Sequence, residues 1–183
     1  MRIIASLALT LALLAPAFAE DPAKMREVEL DKLFGRLHQT SAAQDTSKIQ
    51  ADIWALWAHN DSPTAELLLR QGVAAMNAHE YAAAEKTLIQ LIETYPTFAE
   101  GWNKRATLYF MDGRYDASLI DIEHVLELEP RHFGALAGKA MILRAQGKTI
   151  EALKVLRETL NINPHMNSVV QAIKDLEKAN PDI

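Results

Sequence analysis

Residues 99–132 read AEGWNKRATLYFMDGRYDASLIDIEHVLELEPRH, and this stretch decides the fold. Apolar residues recur at intervals of three and four on either side of Met111-Asp112-Gly113-Arg114 and break off at those four, which predicts two helices joined by a tight turn. Gly113 suits the left-handed conformation that ends a helix, and Pro130 cannot continue the second one. Working outward, Pro96, Pro130 and Pro164 stand 34 residues apart. On that period the chain divides into units at 65–98, 99–132 and 133–166. One place in each unit is small (Gly72, Ala106, Ala140), and so is a second, twelve residues on (Ala84, Ser118, Ala152). Small residues there let paired helices approach closely, while Leu88, Ile122 and Leu156, with Ile92, Leu126 and Leu160, fill the space beside them. Gly147 repeats the stop of Gly113. His79 holds that place in the first unit at some cost, because a side chain disfavours positive φ. A lone hairpin of this size cannot bury its apolar face, whereas stacked hairpins can.

With Trp102, Ala106, Tyr109, Gly113, Tyr115 and Pro130 at their places in a 34-residue period, the second unit resembles the tetratricopeptide repeat family. The resemblance implies an all-α solenoid, a right-handed superhelix of helical hairpins. The first helix of each unit would then line a concave groove that holds a peptide or a partner's helix.

The flanks are read by the same periodicity. Val28, Leu30, Leu33, Phe34 and Leu37 share one helical face, and Ile49, Ile53, Trp54, Leu56 and Trp57 another. Within an N-terminal helical region at 20–63, residues 28–63 therefore read as a degenerate leading repeat that caps the array. Glu20 to Lys24 are expected to be a loose tail, and Gln39 to Ser47 a long polar linker. Asn60-Asp61-Ser62-Pro63 reads as a stop followed by an N-cap. At the other end, in a capping region at 167–183, Ser168 to Ala179 predict a last helix, apolar on one face and polar on the other. Residues 1–19 carry a short positive start, an apolar run from Ile3 to Leu14 and a small-residue end at Ala17-Phe18-Ala19, the pattern of a secretory signal cleaved after Ala19. Export to the periplasm is expected, with no membrane insertion after cleavage, since the run falls short of a spanning helix.

Composition removes several classes of function. With 19 Lys plus Arg against 24 Asp plus Glu, net −5, the chain lacks the basic footprint that nucleic acid requires. It has no Cys, which excludes disulfides, thiolate metal sites and a thiol nucleophile. Hydrophobic residues at 49% and charged ones at 23% leave enough apolar surface for a core. Six His are scattered with no pair at ligand spacing, and His124 with Glu127, three apart on a second helix, reads as a solvated face. Phosphate-cradling glycine loops and Gly-flanked serines are absent too. No catalytic residue, metal site or cofactor is expected, and a non-enzymatic protein is.

Function is then sought in the groove. Carried onto this sequence, the family's concave positions give Arg70, Val73, Met76 and Asn77 in the first unit, Asn103, Lys104, Thr107 and Phe110 in the second, and Met141 and Arg144 in the third. Three basic groups beside Met and Phe side chains suit a partner segment with apolar anchors and a carboxylate. Equally, Met76, Phe110 and Met141 could be buried between units. The acidic second helices, Asp121 and Glu127 among them, form the competing surface, suited to a basic partner. A family subclass grips a chaperone's acidic C-terminus with a two-carboxylate clamp. The chain has Leu69, Val73, Lys104, Gly134 and Gly138 at the clamp positions, so that ligand is not expected. The resulting expectation is a periplasmic scaffold for envelope proteins that supports cell-envelope integrity or assembly. The alternative is an accessory factor of c-type cytochrome maturation.

Overall fold

The computed structural model describes residues 21–181. The expected signal sequence lies outside them. Among the described residues there are nine helices and no strand: α1 (Pro22–Gln39), α2 (Ala43–Ala58), α3 (Pro63–Asn77), α4 (Tyr81–Thr94), α5 (Ala99–Met111), α6 (Tyr115–Leu128), α7 (Phe133–Ala145), α8 (Thr149–Ile162) and α9 (Asn167–Ala179). The second helices α4, α6 and α8 start at Tyr81, Tyr115 and Thr149, so the 34-residue period survives in the helix starts. The all-α solenoid expected from the sequence is the observed architecture.

The three turns inside the units close in the same way. His79, Gly113 and Gly147 adopt φ of 60°, 72° and 74°. The following amides reach back over a left-handed residue: Glu80 N–H to Ala75 O at 2.9 Å, Arg114 N–H to Tyr109 O at 2.8 Å and Lys148 N–H to Leu143 O at 2.9 Å. These bonds satisfy carbonyls that a helix end leaves without partners. Between the paired helices the small positions are buried, and a Cβ on Gly72 would stand 2.8 Å from the Leu88 side chain. Ser118 is tolerated there because its hydroxyl donates to Ala106 O at 2.7 Å. Beside it a buried carboxylate is paired with a half-buried guanidinium. Arg105 grips Asp121 through Nε and Nη2 at 2.8 and 2.7 Å, tying α5 to α6.

The N-terminal segment departs from the sequence reading in three respects. Pro22 to Lys24 are the first turn of α1, not a tail, because Asp21 accepts from Ala23 N–H as its cap and Pro22 presets the helical φ. The linker shrinks to Thr40–Ala42, since Ala43 to Ser47 already belong to α2. The hairpin α1–α2 is not stacked on α3 as a leading repeat would be. It lies across the turns that join the later units. Leu30, Leu33, Phe34, Leu37, Ile49, Ile53 and Trp57 form one core with Phe133 of α7, against which Ile162 and Met166 also pack.

Polar contacts fix this seating. Arg131 lies over the Phe34 ring at 4.7 Å and reaches Asp31 and Glu27 at 2.6 and 2.7 Å. Trp57 Nε1 donates to Glu129 at 3.3 Å. Gln50 donates to Asn163 at 3.1 Å, and His165 Nε2 to Leu37 O at 2.8 Å. The reason lies in composition: α2 carries two Trp side chains, and the surface that takes them is aromatic and polar rather than a repeat face. Ser62 holds the N-cap position of α3 as expected, but its hydroxyl donates to the Tyr95 hydroxyl at 2.8 Å rather than receiving a helix amide.

Candidate functional site

Two cavities open beside the first helices α3, α5 and α7, on either flank of α5, and eight of the ten expected groove residues line them. The first, 590 Å³, is walled by α3 with Arg70, Val73 and Asn77, by α5 with Lys104, and by Trp54 and Ala58 of α2. The second, 380 Å³, lies between α5 and α7. Asn103, Ala106, Thr107 and Ala137 contribute short side chains to it, Gly138 bare backbone, and Phe110, Met111 and Met141 bulkier side chains. Met111 and Met141 are about half exposed, at 50% and 47%. Helical spacing at four puts Thr107 with Met111, and Ala137 with Met141, on a shared face, so the cavity combines small and long side chains.

Two of the ten expected residues, Met76 and Arg144, line neither of these cavities. Met76 is in the core with Leu69, Leu88 and Leu108, because its place on α3 turns it toward α4. Asn103 lines the second cavity but is buried, and its Nδ2 donates to Glu100 at 2.9 Å. Arg144 lies exposed on α7 and forms no ion pair among the described residues, whereas Arg70 stands 3.6 Å from Glu66. Tyr109 is buried and Trp102 and Tyr115 half-buried, as their packing positions implied.

Beneath Trp54 lies a polar cluster that the periodic reading missed. Glu100 is 2% exposed and His132 fully buried. Glu100 accepts from Lys104 Nζ at 2.6 Å and from His132 Nε2 at 3.2 Å, besides Asn103. His132 Nδ1 accepts from Ala135 N–H at 3.1 Å and so caps α7. That bond fixes the tautomer: Nδ1 is bare, and Nε2–H is the donor to Glu100. Burial pushes the Glu100 carboxyl up. The His132 hydrogen bond and the Lys104 charge outweigh it and hold the group below the usual carboxylate range. The Trp57 ring stacks on His132 at 4.2 Å, and Trp54 meets His132 and Phe133 edge-on at 5.3 and 5.4 Å. Lys104 Nζ sits 5.6 Å from the Trp54 ring centre. Gly134 receives Trp54, since a Cβ there would come within 2.5 Å of its ring. The clamp position that holds Gly134 is therefore filled by the chain's own indole.

On the outer face His124 and Glu127 do meet, at 3.4 Å and largely exposed. Asp121 is no part of that face: it is 1% exposed, and its charge is spent on Arg105. Among the described residues no group of three or more His, Asp or Glu is placed to hold a metal ion, and no helix is long and apolar enough to cross a membrane.

Comparison with known proteins agrees with this geometry. A family model described as tetratricopeptide repeat matches residues 69–123. A TPR repeat-containing protein of Rhizobium etli is 41% identical over 135 residues, which cover 74% of this chain and 66% of that one. The small glutamine-rich tetratricopeptide repeat-containing protein 2 of Saccharomyces cerevisiae is 27% identical over 148 residues, 79% of this chain and 41% of its own length. The chain thus spans just under two thirds of the first relative and less of the second. Among solved structures, the first TPR of Spaghetti (RPAP3), bound to the HSP90 peptide SRMEEVD, superposes with a TM-score of 0.63 at 19% identity, covering 68% of this chain and 98% of that one. With three hairpins stacked at one period, the chain belongs to the tetratricopeptide repeat family.

Proposed function

We propose that this tetratricopeptide repeat protein is a non-enzymatic adaptor that holds a segment of a partner protein along α5. The observation that carries the reading is the cavity between α5 and α7, with small residues between the exposed Met111 and Met141 and the unpaired Arg144 one turn further along α7. The cavity takes a large apolar side chain as anchor, and the free guanidinium orients a carboxylate on the same segment. Methionines adapt their shape to the anchor they meet. A peptide bound by the repeat domain of Spaghetti supports a peptide as the class of ligand. The clamp chemistry for an acidic C-terminus does not transfer, because Trp54 fills its place at Gly134.

The test is capture of partners from cell extract with the wild type and three variants. Met141→Glu and Arg144→Glu are expected to lose the partner at unchanged helicity. Glu127→Lys, an exposed change on the outer face, is expected to keep it. Loss with Glu127→Lys and retention with the other two would move the site to the acidic face. Lys104 is unsuited to this test, since a carboxylate there would face the buried Glu100.

The sequence of residues 1–19 supports export to the periplasm with cleavage after Ala19, and a scaffold role in cell-envelope integrity or assembly is proposed with it. Mature protein should begin at Glu20 and be released by osmotic shock. An intact Met1 in the membrane pellet would overturn this localisation.

A further inference from the structure

One contact of the α1–α2 hairpin is used neither by repeat packing nor by the groove. His38, in the last turn of α1, sets Nδ1 2.9 Å from the carbonyl oxygen of Phe34 and Nε2 2.9 Å from that of Asn161. Carbonyl oxygens only accept hydrogen bonds, so both ring nitrogens must carry hydrogen. Only the imidazolium does. Asn161 stands in the last turn of α8, so the charge lies where two helix C-termini, each with partial negative charge, come together.

The remaining surroundings supply no competing charge partner. On α1 the neighbouring Arg36 lines a shallow cavity with Asp45 of α2. One turn before Asn161, Arg157 is paired with Glu177 of α9 at 2.9 Å, and Glu158 is exposed. In the turn after α8, His165 donates through Nε2 to Leu37 O, a bond that the neutral ring also makes. Among the described residues no carboxylate forms an ion pair with His38.

We propose that His38 is a proton-operated latch: as imidazolium it fastens the hairpin to the end of α8, and as the neutral ring it gives up one of its two bonds. The bonds to Phe34 O and Asn161 O raise its pKa above the ordinary 6.5, against a smaller opposing effect of burial. A raised folded-state value fixes the sign. The stabilisation is complete below the ordinary value and is lost as pH rises through the raised one. Because α2 carries Trp54 and Ala58, which wall the first groove cavity, releasing the latch loosens that wall. This consequence for the groove rests on the function proposed above, whereas the latch itself does not.

Two measurements test it without a partner. The His38 ring proton, assigned by its disappearance in His38→Gln, is expected to titrate with a midpoint above 6.5 in NMR spectra of the whole protein. A midpoint at or below that value would overturn the proposal. Amide exchange protection of α1 and α2, corrected for the intrinsic pH dependence, is expected to fall about two- to five-fold from pH 6 to 9, the range that a cation at an exposed helix C-terminus brings. His38→Gln should flatten the fall, and His165→Gln should leave it. A flat wild type, or an unchanged slope in His38→Gln, would sink the latch and leave the groove untouched. Failed capture by the groove would leave the latch standing.

Discussion

The repeats and the N-terminal hairpin are both paired helices, yet they are held by different means. Each repeat buries its small and large apolar residues against the neighbours in sequence, from α3 through α9. The hairpin fastens to residues 72 to 128 positions away, at Glu129, Arg131, Asn161, Asn163 and His165. The difference teaches that a period tells where a helix packs only when its partner is next in line. Where the partner is remote, the address is written in singular residues such as a Trp facing a Gly. It also implies that the hairpin can come away from an array that stays folded, as a unit of lower local stability.

Breaking the array should have the largest effect. Arg105→Met leaves Asp121 buried without its counter-charge, and a loss on the order of 3–5 kcal/mol is expected, in one transition that takes the whole array with it. Thermal melting followed by circular dichroism checks this. A loss confined to a quarter of the helicity would mean that the units do not share stability.

Breaking the hairpin comes next. Leu37, fully buried among Phe34, Ile49 and Ile53, should cost about 2–5 kcal/mol as Leu37→Ala. That loss is expected in Trp emission and in α1–α2 exchange protection before the array melts. One coincident transition would erase the distinction between the two regions.

Their join can be probed alone. Gly134→Ala drives a methyl group against the Trp54 ring at a cost of about 1–3 kcal/mol. In a Trp54→Ala background the same substitution should cost little in a denaturant titration. Smallest is the turn of the first unit. His79→Gly removes a side chain from φ of 60° and is expected to stabilise the protein by about 0.5 kcal/mol, the surplus of relieved strain over glycine's added chain entropy. A destabilised variant would show that the 2.9 Å bond from His79 to the Tyr81 hydroxyl outweighs the strain.

How far the sequence could be read follows the same divide. Gly113, Gly147 and the odd His79 marked the three turns because left-handed backbone has a narrow residue preference. Ala106 and Ser118 marked the helix contacts because close approach requires small side chains. The hairpin's helices were legible from their apolar faces, but its seat was not, since Trp57 on His132 and Trp54 on Gly134 recur with no period. The groove was half legible. Thr107, Phe110 and Met141 line one cavity beside the first helices, while Met76 is buried in the core and Arg144 lines neither cavity. Glu100 and His132, 32 residues apart, left only one sign, an acidic residue on the inner side of an otherwise apolar and basic groove.

The remote seating of the hairpin also sets an order in time. A ribosome makes α1 and α2 first, and α3 to α6 can pair and stack as they emerge. Phe133, Asn161 and His165, which receive the hairpin, are made more than a hundred residues after α1 begins. Closing so long a loop is slow, and the contact waits for synthesis whatever its strength. The indoles of Trp54 and Trp57 therefore face water, or a chaperone, through most of translation. Chains stalled at Glu158 are expected to hold a folded array beside an undocked hairpin, its Trp emission still that of indole in water, and blue-shifted emission in such chains would show docking without α8's last turn.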